Sequence, residues 1–304
     1  MQLYLPIAEI PINVILIVGI GAAIGFISGL LGVSGGFLLT PLLIFAGIPT
    51  AIAVGTSAAQ VVASSSSAAL SYWRKGSVDF RLAFVLIAGG VVGSAVGVLS
   101  FRLLREGGQL DVIIAIAYAV LLGGVGGTML VESIRSSLAV RRGRPEQLLR
   151  EPRRRPSRLP FQMRFPVARL QISAIPLVGL GFAIGLLGSF LGVGGGFLVV
   201  PALIYFFRIS TSVVIGTSLV QIVGTMAVAT GLHAVANHSV DAILAIVLMT
   251  GGVVGAQFGA RSASVLRGET LRALLAILVL AVGVRFMVDL VATPSEPYSI
   301  SEEA

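Results

Sequence analysis

Two sets of neutral hydrogen-bonding side chains recur in this chain, each reading Gly-Thr-Ser and followed by a glutamine. The sets are Thr56, Ser57 and Gln60 in the first half, and Thr217, Ser218 and Gln221 in the second. Each threonine lies four residues before its glutamine, so the two share a face if the segment is helical. Hydroxyl and amide groups can bind an oxyanion without the burial of a fixed charge. The alternative role is structural, since such groups also join membrane helices at about 0.6 kcal/mol per contact.

A glycine cluster precedes each set. Leu30 to Pro41 reads LLGVSGGFLLTP and Phe190 to Pro201 reads FLGVGGGFLVVP, with eight of the twelve positions identical. Glycine costs roughly 1 kcal/mol inside a helix, so each cluster predicts a break in an apolar helix. Matched breaks in two halves point to the binding site of a transporter. The short helix after each break would direct its positive N-terminus at an anion. The predicted contacts are Ser34, Gly35, Gly36, Gly194, Gly195 and Gly196; close helix packing is the alternative.

The ionisable residues indicate little chemistry at membrane depth. Asp79 and Asp241 stand at the starts of apolar segments and are predicted to cap helices. His233 and His238 are five residues apart, do not share a helix face, and are interpreted as loop histidines. With no cysteine in the chain, thiol chemistry is excluded. We find no catalytic cluster and expect no enzyme activity, no cofactor and no metal site.

Composition predicts a polytopic membrane protein. Of the 304 residues, 56% are hydrophobic and 11% charged, and the mean hydropathy is +1.01, whereas soluble domains carry about 25% charged residues. Eleven of the 21 Lys and Arg residues lie between Arg135 and Arg169. A basic cytoplasmic loop beside anionic lipid explains that charge better than a nucleic-acid surface does.

The chain contains an internal repeat, because further blocks of the first half match blocks of the second half in the same order, at an offset of 160 to 162 residues. They are Ser77-Val78-Asp79 with Ser239-Val240-Asp241, and residues 89–93 with 251–255, both reading GGVVG. We divide the chain into a first transmembrane repeat (1–134), a basic cytoplasmic linker (135–172), a second repeat (173–292) and a polar acidic tail (293–304). The predicted apolar segments are 13–31, 37–45, 51–73, 80–101 and 110–134, then 174–191, 197–207, 211–235, 242–260 and 270–292.

Segment length favours an inverted repeat. Residues 13–45 and 174–207 are too short for two crossings plus a turn, which need roughly 45 residues. Each half is therefore predicted to be a re-entrant, broken helix hairpin plus three transmembrane helices, an odd number of crossings. This topology places every Lys and Arg inside except Arg102, Arg105 and Arg285, as the positive-inside rule favours. The fold class is all-α, with the linker cytoplasmic and both termini outside.

These motifs resemble the TauE/SafE sulfite exporter family. The resemblance rests on the paired LLGVGGG-F-L-x-x-P motifs, each followed by GTS and a Gln, and covers about 25–131 and 181–290. It implies export or exchange of small sulfur oxyanions and organosulfonates across the bacterial inner membrane. The first motif departs from the second at Ser34, and the arginine-rich linker has no family role that we can assign.

The leading functional hypothesis is a secondary transporter of a small anion such as sulfite or a sulfonate. An anion channel of the same architecture is one alternative, which would show no trans-stimulation. A membrane scaffold or sensor acting through the basic linker is another. The implied partners are a small anionic substrate and the bilayer, with anionic lipid at the linker and no nucleic acid.

Overall fold

The computed structural model describes residues 2–8, 10–31, 35–141, 161–168, 170–207, 209–262 and 279–288. The first half contains helices α1 to α5: Val14–Leu31, Gly36–Phe45, Thr50–Arg74, Phe80–Glu106 and Leu110–Arg141. The second half contains α6 to α9, Ala174–Leu191, Gly196–Tyr205, Thr211–Ala236 and Ala242–Ser262, and α10, Val279–Val288. Over the described residues the helices follow the predicted segments closely, and an all-α membrane protein is confirmed. Of the predicted segment 270–292 only 279–288 is described, and the predicted tail 293–304 lies outside the described residues.

Helix length and hydropathy support spanning of a bilayer. In the described part of the chain, α4, α6, α8 and α9 are each long and apolar enough to cross a membrane. α3 is longer than α9, but the Thr56–Gln60 set and a run of serines from Ser64 to Ser67 lower its mean hydropathy. The helices that begin at Gly36 and Gly196 have only ten residues each, so each is too short to cross alone.

Helices of the two halves pack crosswise through glycine. α1 packs on α9 and α4 packs on α6, while α3 packs on α8. A Cβ at Gly21 of α1 would lie 2.6 Å from the carbonyl oxygen of Leu248, and a Cβ at Gly25 would lie 2.8 Å from the Cα of Gly252. On α6, Gly181 and Gly185 approach the backbone of α4 in the same way, at Leu86 and Gly90. Backbone contact of this kind requires small residues.

A two-stranded hairpin precedes each half. β1 (Gln2–Tyr4) pairs antiparallel with β2 (Pro11–Asn13), and β3 (Gln162–Phe165) with β4 (Leu170–Ser173). Neither hairpin was predicted. The second hairpin lies in 135–172, which the sequence assigned to a linker; the arginine-rich 142–160 lies outside the described residues.

α10 and all of α5 except Leu110 belong to a separate compact unit. Within it, the ring of Tyr118 stacks on that of Phe286, with centroids 5.3 Å apart and planes 5° from parallel. Gly126 lies against the side chains of Val279 and Leu280. The remaining helices and the two hairpins form the unit that contains the candidate site.

Two glycines of the same helix provide a matched test of this packing. Gly25→Ala would force α1 away from the backbone of Gly252, whereas a Cβ at Gly19 meets nothing within 4 Å. Overpacking costs about 1–3 kcal/mol, so Gly25→Ala should lower the melting temperature of the purified protein in detergent, and Gly19→Ala should not. Equal melting temperatures for the two variants would contradict the glycine-mediated contact.

Candidate functional site

The structure brings the two glycine breaks together. α1 ends at Leu31 and α6 at Leu191, and the short helices begin five residues later. A Cβ at Gly36 would lie 2.5 Å from the carbonyl oxygen of Gly192 and 3.0 Å from the carbonyl carbon of Val193. The rings of Phe37 and Phe197, which follow the two clusters, have centroids 5.7 Å apart. The breaks are thus one shared contact between the halves; Ser34 lies outside the described residues.

Backbone conformation explains the second cluster. Gly192, Gly194 and Gly195 have φ of 71°, 73° and 69°, the left-handed region that residues with a Cβ avoid. Gly192 closes α6, and Gly195 precedes the first residue of α7. Since the first N–H groups of a helix have no partner within the helix, this arrangement aims an N-terminus at the contact between the breaks.

Gly35 and Gly195 occupy equivalent places. Each faces an isoleucine of the preceding long helix, Ile24 for Gly35 and Ile184 for Gly195. All three glycines of the second cluster, and Gly35 and Gly36 of the first, are buried. The described glycines predicted to contact substrate therefore lie inside the protein at the ends of the short helices.

Gln60 is the least satisfied side chain of the predicted set. It is fully buried, and neither its amide nitrogen nor its amide oxygen has a hydrogen-bond partner. The amide lies against Gly252 of α9, whose missing side chain provides the space that it fills. An unpaired buried polar group costs about 1–3 kcal/mol, and packing against Gly252 does not replace the missing hydrogen bonds.

Gln221, its counterpart, is only half satisfied. Its Nε2 donates to Thr225 Oγ1 at 3.2 Å, while its Oε1 is buried without a partner. Thr225 in turn donates to the carbonyl of Gln221 at 2.9 Å. The two glutamines therefore differ: Gln60 offers a ligand both a donor and an acceptor, and Gln221 offers an acceptor.

Five further hydroxyl groups are buried without partners and were not predicted as site residues, namely those of Ser28, Thr40, Ser65, Thr230 and Ser239. Ser28 and Thr40 come from α1 and α2, and Ser65 from the serine run of α3. Thr40 lies at the contact between the breaks, because its Oγ1 would be 3.0 Å from a Cβ at Gly192. Its position within the first motif, where the second has Val200, was the available signal.

The two serines of the GTS motifs also differ. Ser57 Oγ is buried without a partner, whereas Ser218 Oγ donates to the carbonyl of Ile215 at 2.9 Å. In both comparisons, the first half carries the more completely unpaired side chain. The predicted site is therefore unequal between the halves, with Ser57 and Gln60 as its most available groups.

The two threonines join the halves reciprocally. Thr56 Oγ1 accepts from the backbone N–H of Asp241 at 3.1 Å, and Thr217 Oγ1 accepts from that of Asp79 at 3.0 Å. Gly55 leaves room for this approach, since a Cβ there would be 2.5 Å from the carbonyl oxygen of Ser239. A hydroxyl that accepts one hydrogen bond can still donate another. Contact of either threonine with substrate is therefore compatible with these bonds and stays a prediction.

Asp79 caps its helix as predicted, through a bond from Leu82 N–H to Oδ1 at 3.2 Å. Its Oδ2 has a second role, accepting from Val167 and Ala168 N–H, both at 3.0 Å. The turn of the second strand hairpin is thereby fixed to the start of α4. The matching PVA and PIA sequences at these turns could have indicated the hairpins.

Asp241 repeats this arrangement at α9. Its Oδ1 caps the helix by accepting from Ile243 and Leu244 N–H at 3.0 Å. Its Oδ2 accepts from Ile7 N–H, in the turn of the first hairpin, at 3.1 Å. Each hairpin is therefore held by the aspartate of the opposite half.

The interpretation of His233 as a loop histidine was wrong. It lies in the last turn of α8, fully buried. His238 lies beyond the helix with φ of 46°. Among the described residues, no group of three His, Asp or Glu side chains could hold a metal ion.

Comparison with known proteins shows the family of the chain. The family model described as "Sulfite exporter TauE/SafE" matches residues 17–286. This chain belongs to that family. A "Probable membrane transporter protein" of Xylella fastidiosa (strain 9a5c) is 32% identical over 81% of this chain and 84% of its own length. The "Probable membrane transporter protein YjnA" of Bacillus subtilis (strain 168) is 28% identical over 89% of this chain and 98% of its own length. No solved structure matches the chain.

Substitution of Thr217 separates its structural role from a role in binding. Thr217→Val leaves the buried N–H of Asp79 without its acceptor, at a cost of about 1–3 kcal/mol, whereas Thr217→Ser keeps the oxygen. Thermal unfolding in detergent should therefore rank wild type and Thr217→Ser above Thr217→Val. If both substitutions lower the melting temperature equally, the hydrogen bond to Asp79 does not stabilise the fold.

Proposed function

We propose that this membrane transporter carries a small sulfur oxyanion or organosulfonate, and that the substrate binds where the two glycine breaks meet. The observation that carries this proposal is the fully buried, unpaired amide of Gln60. A buried polar group without a partner requires an explanation, and we propose that here a substrate completes its hydrogen bonds.

The chemistry of the site favours recognition by neutral groups. Among the described residues, the buried charged side chains are Asp79 and Asp241, and both are occupied with backbone N–H groups. An anion at the breaks would be held by the N-termini of α2 and α7 and by hydroxyl and amide donors. The α7 end is shaped for this by Gly194 and Gly195.

The unpaired acceptor atoms of the two glutamines narrow the chemical class of the substrate further. Nε2 of Gln60 can donate to a sulfite or sulfonate oxygen, but Oε1 of Gln60 and Oε1 of Gln221 need donors. Hydrogen sulfite carries a hydroxyl group, and an aminosulfonate carries an ammonium group, so each offers both functions. A fully deprotonated anion could satisfy only the donors. We therefore infer that the preferred substrate carries a proton-donating group beside its oxyanion.

We further propose that the halves are inverted and that their hairpins are re-entrant. Crosswise pairing of α1 with α9 and α4 with α6 supports a two-fold relation between the halves, as do the reciprocal threonine–aspartate bonds. The distribution of Lys and Arg supports an inner-membrane orientation with 135–172 cytoplasmic and both termini outside. We also propose export as the direction of transport, and anionic lipid as the partner of the linker.

The site is tested by binding of sulfite and taurine to the purified protein. Gln60→Leu removes the hydrogen bonds at similar volume, and loss of one to a charged partner should weaken binding roughly ten- to a hundred-fold. Gln221→Leu should weaken it less, because the Nε2 of Gln221 already serves Thr225. Isothermal titration calorimetry measures both dissociation constants.

A control for this test lies in the basic linker. Joint neutralisation of Arg153, Arg154 and Arg155 removes charge far along the sequence from the motifs and should leave both dissociation constants unchanged. The proposal fails if Gln60→Leu and Gln221→Leu bind both substrates as tightly as the parent. A matched thermal unfolding profile is required of each variant.

Topology is tested by single cysteines, which the chain otherwise lacks. A cysteine at Ser299 should react with an impermeant thiol reagent added to intact cells, and one at Ser157 should react only after permeabilisation. Asn237, also predicted outside, is only 6% exposed and is therefore not used as a labelling site. Labelling of Ser157 from outside would overturn the inverted arrangement.

A further inference from the structure

His233 is held by hydrogen bonds at both ring nitrogens. Its Nε2 lies 2.9 Å from the carbonyl oxygen of Ser189 on α6, and its Nδ1 lies 2.9 Å from the amide nitrogen of Asn237. A carbonyl can only accept and an amide nitrogen can only donate. Nε2 therefore carries the proton and Nδ1 accepts, which makes the ring neutral in this arrangement.

Asn237 is built to serve the charged ring equally well. Its Oδ1 is buried without a partner. Rotation of the amide by half a turn would present Oδ1 to Nδ1, so that a protonated ring donates to Ser189 and Asn237 at once. The rotation exchanges the Nδ2–H···Nδ1 hydrogen bond for an Nδ1–H···Oδ1 hydrogen bond, and Oδ1 has no other bond to lose. We propose that His233 and Asn237 form a proton-binding site in which rotation of the Asn237 amide matches the protonation of the ring.

The charged groups around this pair are few in the described structure. Arg105 of α4 donates through Nη1 to the backbone carbonyl of Asn237 at 2.6 Å. Arg102 and Glu106 of the same helix form an exposed ion pair with each other. α6 contributes no charged residue. In the loop after α8, His238 and Asp241 follow, and the carboxylate of Asp241 is occupied by backbone N–H groups.

Arg105 links the proton to the packing of the helices. Like charges repel, and they do so more strongly away from water. A protonated His233 therefore repels the guanidinium of Arg105, whose hydrogen bond to Asn237 joins α4 to the end of α8. Phe101 of α4 also packs edge-to-face on the His233 ring, with centroids 4.9 Å apart. Proton binding thus biases the contact between α4 and α8.

The first half shows that packing does not require a histidine here. Tyr72 stands at the equivalent place on α3, and its hydroxyl lies 3.5 Å from the carbonyl oxygen of Gly29 on α1. Gly29 is the counterpart of Ser189 at the repeat offset of 160. A tyrosine does not titrate near neutral pH, whereas a histidine does. Of the two equivalent side chains, only the imidazole therefore belongs to a type that can gain and lose a proton near neutral pH.

This inference rests on the proposed transport function, because we propose that proton binding at His233 is coupled to the transport of substrate. Buried Asp79 and Asp241 are fixed by backbone N–H groups, which leaves His233 as the buried titratable side chain with an adjustable partner among the described residues. The protein has two histidines, so His238→Gln isolates the signal of His233.

Proton binding is tested first without transport. Nitrogen-15 histidine NMR of the full-length His238→Gln protein in nanodiscs should show Nδ1 change from acceptor to N–H as the pH is lowered from 8 to 5. Asn237→Leu removes the oxygen that accepts the hydrogen bond from the protonated ring, so it should lower the titration midpoint by about one pH unit or more. A ring that stays neutral throughout, or a midpoint that ignores Asn237→Leu, overturns the proposal.

Coupling is tested next in proteoliposomes with sulfite as the probe. An imposed pH gradient should accelerate flux in the parent and in His238→Gln, and the acceleration should be lost in His233→Gln and His233→Tyr. His233→Tyr restores the side chain of the first half and serves as the packing control. Unchanged acceleration in both His233 variants overturns the proposal. Absence of sulfite flux in the parent would instead overturn the proposed function, and the NMR titration would still stand.

Discussion

Contact between helix backbones is the interaction on which the rest of this structure depends. Gly25 on Gly252 and Gly185 on Gly90 allow α1 to cross α9 and α6 to cross α4 without side chains between them. Since these pairs join opposite halves, they fix where each broken helix ends. Gly36 then meets Gly192 and Val193, so the two crossings bring together the breaks at which we propose that substrate binds.

The second constraint is satisfaction of polar groups away from water. Inside a membrane every backbone group needs a partner from the protein, and the chain meets this need with a repeated device. Each GTS threonine accepts from the aspartate N–H of the opposite half, and each aspartate holds the opposite strand hairpin. Against this background of paired groups, both polar atoms of the Gln60 amide and the hydroxyl of Ser57 are among the buried atoms that remain unpaired. We therefore propose that the substrate binds at these unpaired groups.

Apolar periodicity and glycine clusters predicted the helices closely, because both are local properties of the sequence. The strand hairpins were missed because each depends on an aspartate more than 80 residues away. His233 was misplaced although the predicted segment 211–235 contained it, because its partners, Ser189 and Asn237, are visible only after folding. Sequence also treated the two halves as equal, whereas Gln60 and Gln221 differ through one contact, Thr225.

Counterflow of radiolabelled sulfite tests the central claim most directly, namely that the protein is a transporter that binds its substrate between the two halves and is not a channel. Proteoliposomes containing the full-length protein are loaded with unlabelled sulfite and diluted into a trace of labelled sulfite. The account predicts transient accumulation of label above its external concentration, with a rate that saturates as sulfite is raised. Label that only equilibrates, at a rate proportional to concentration, would indicate a pore and contradict the account.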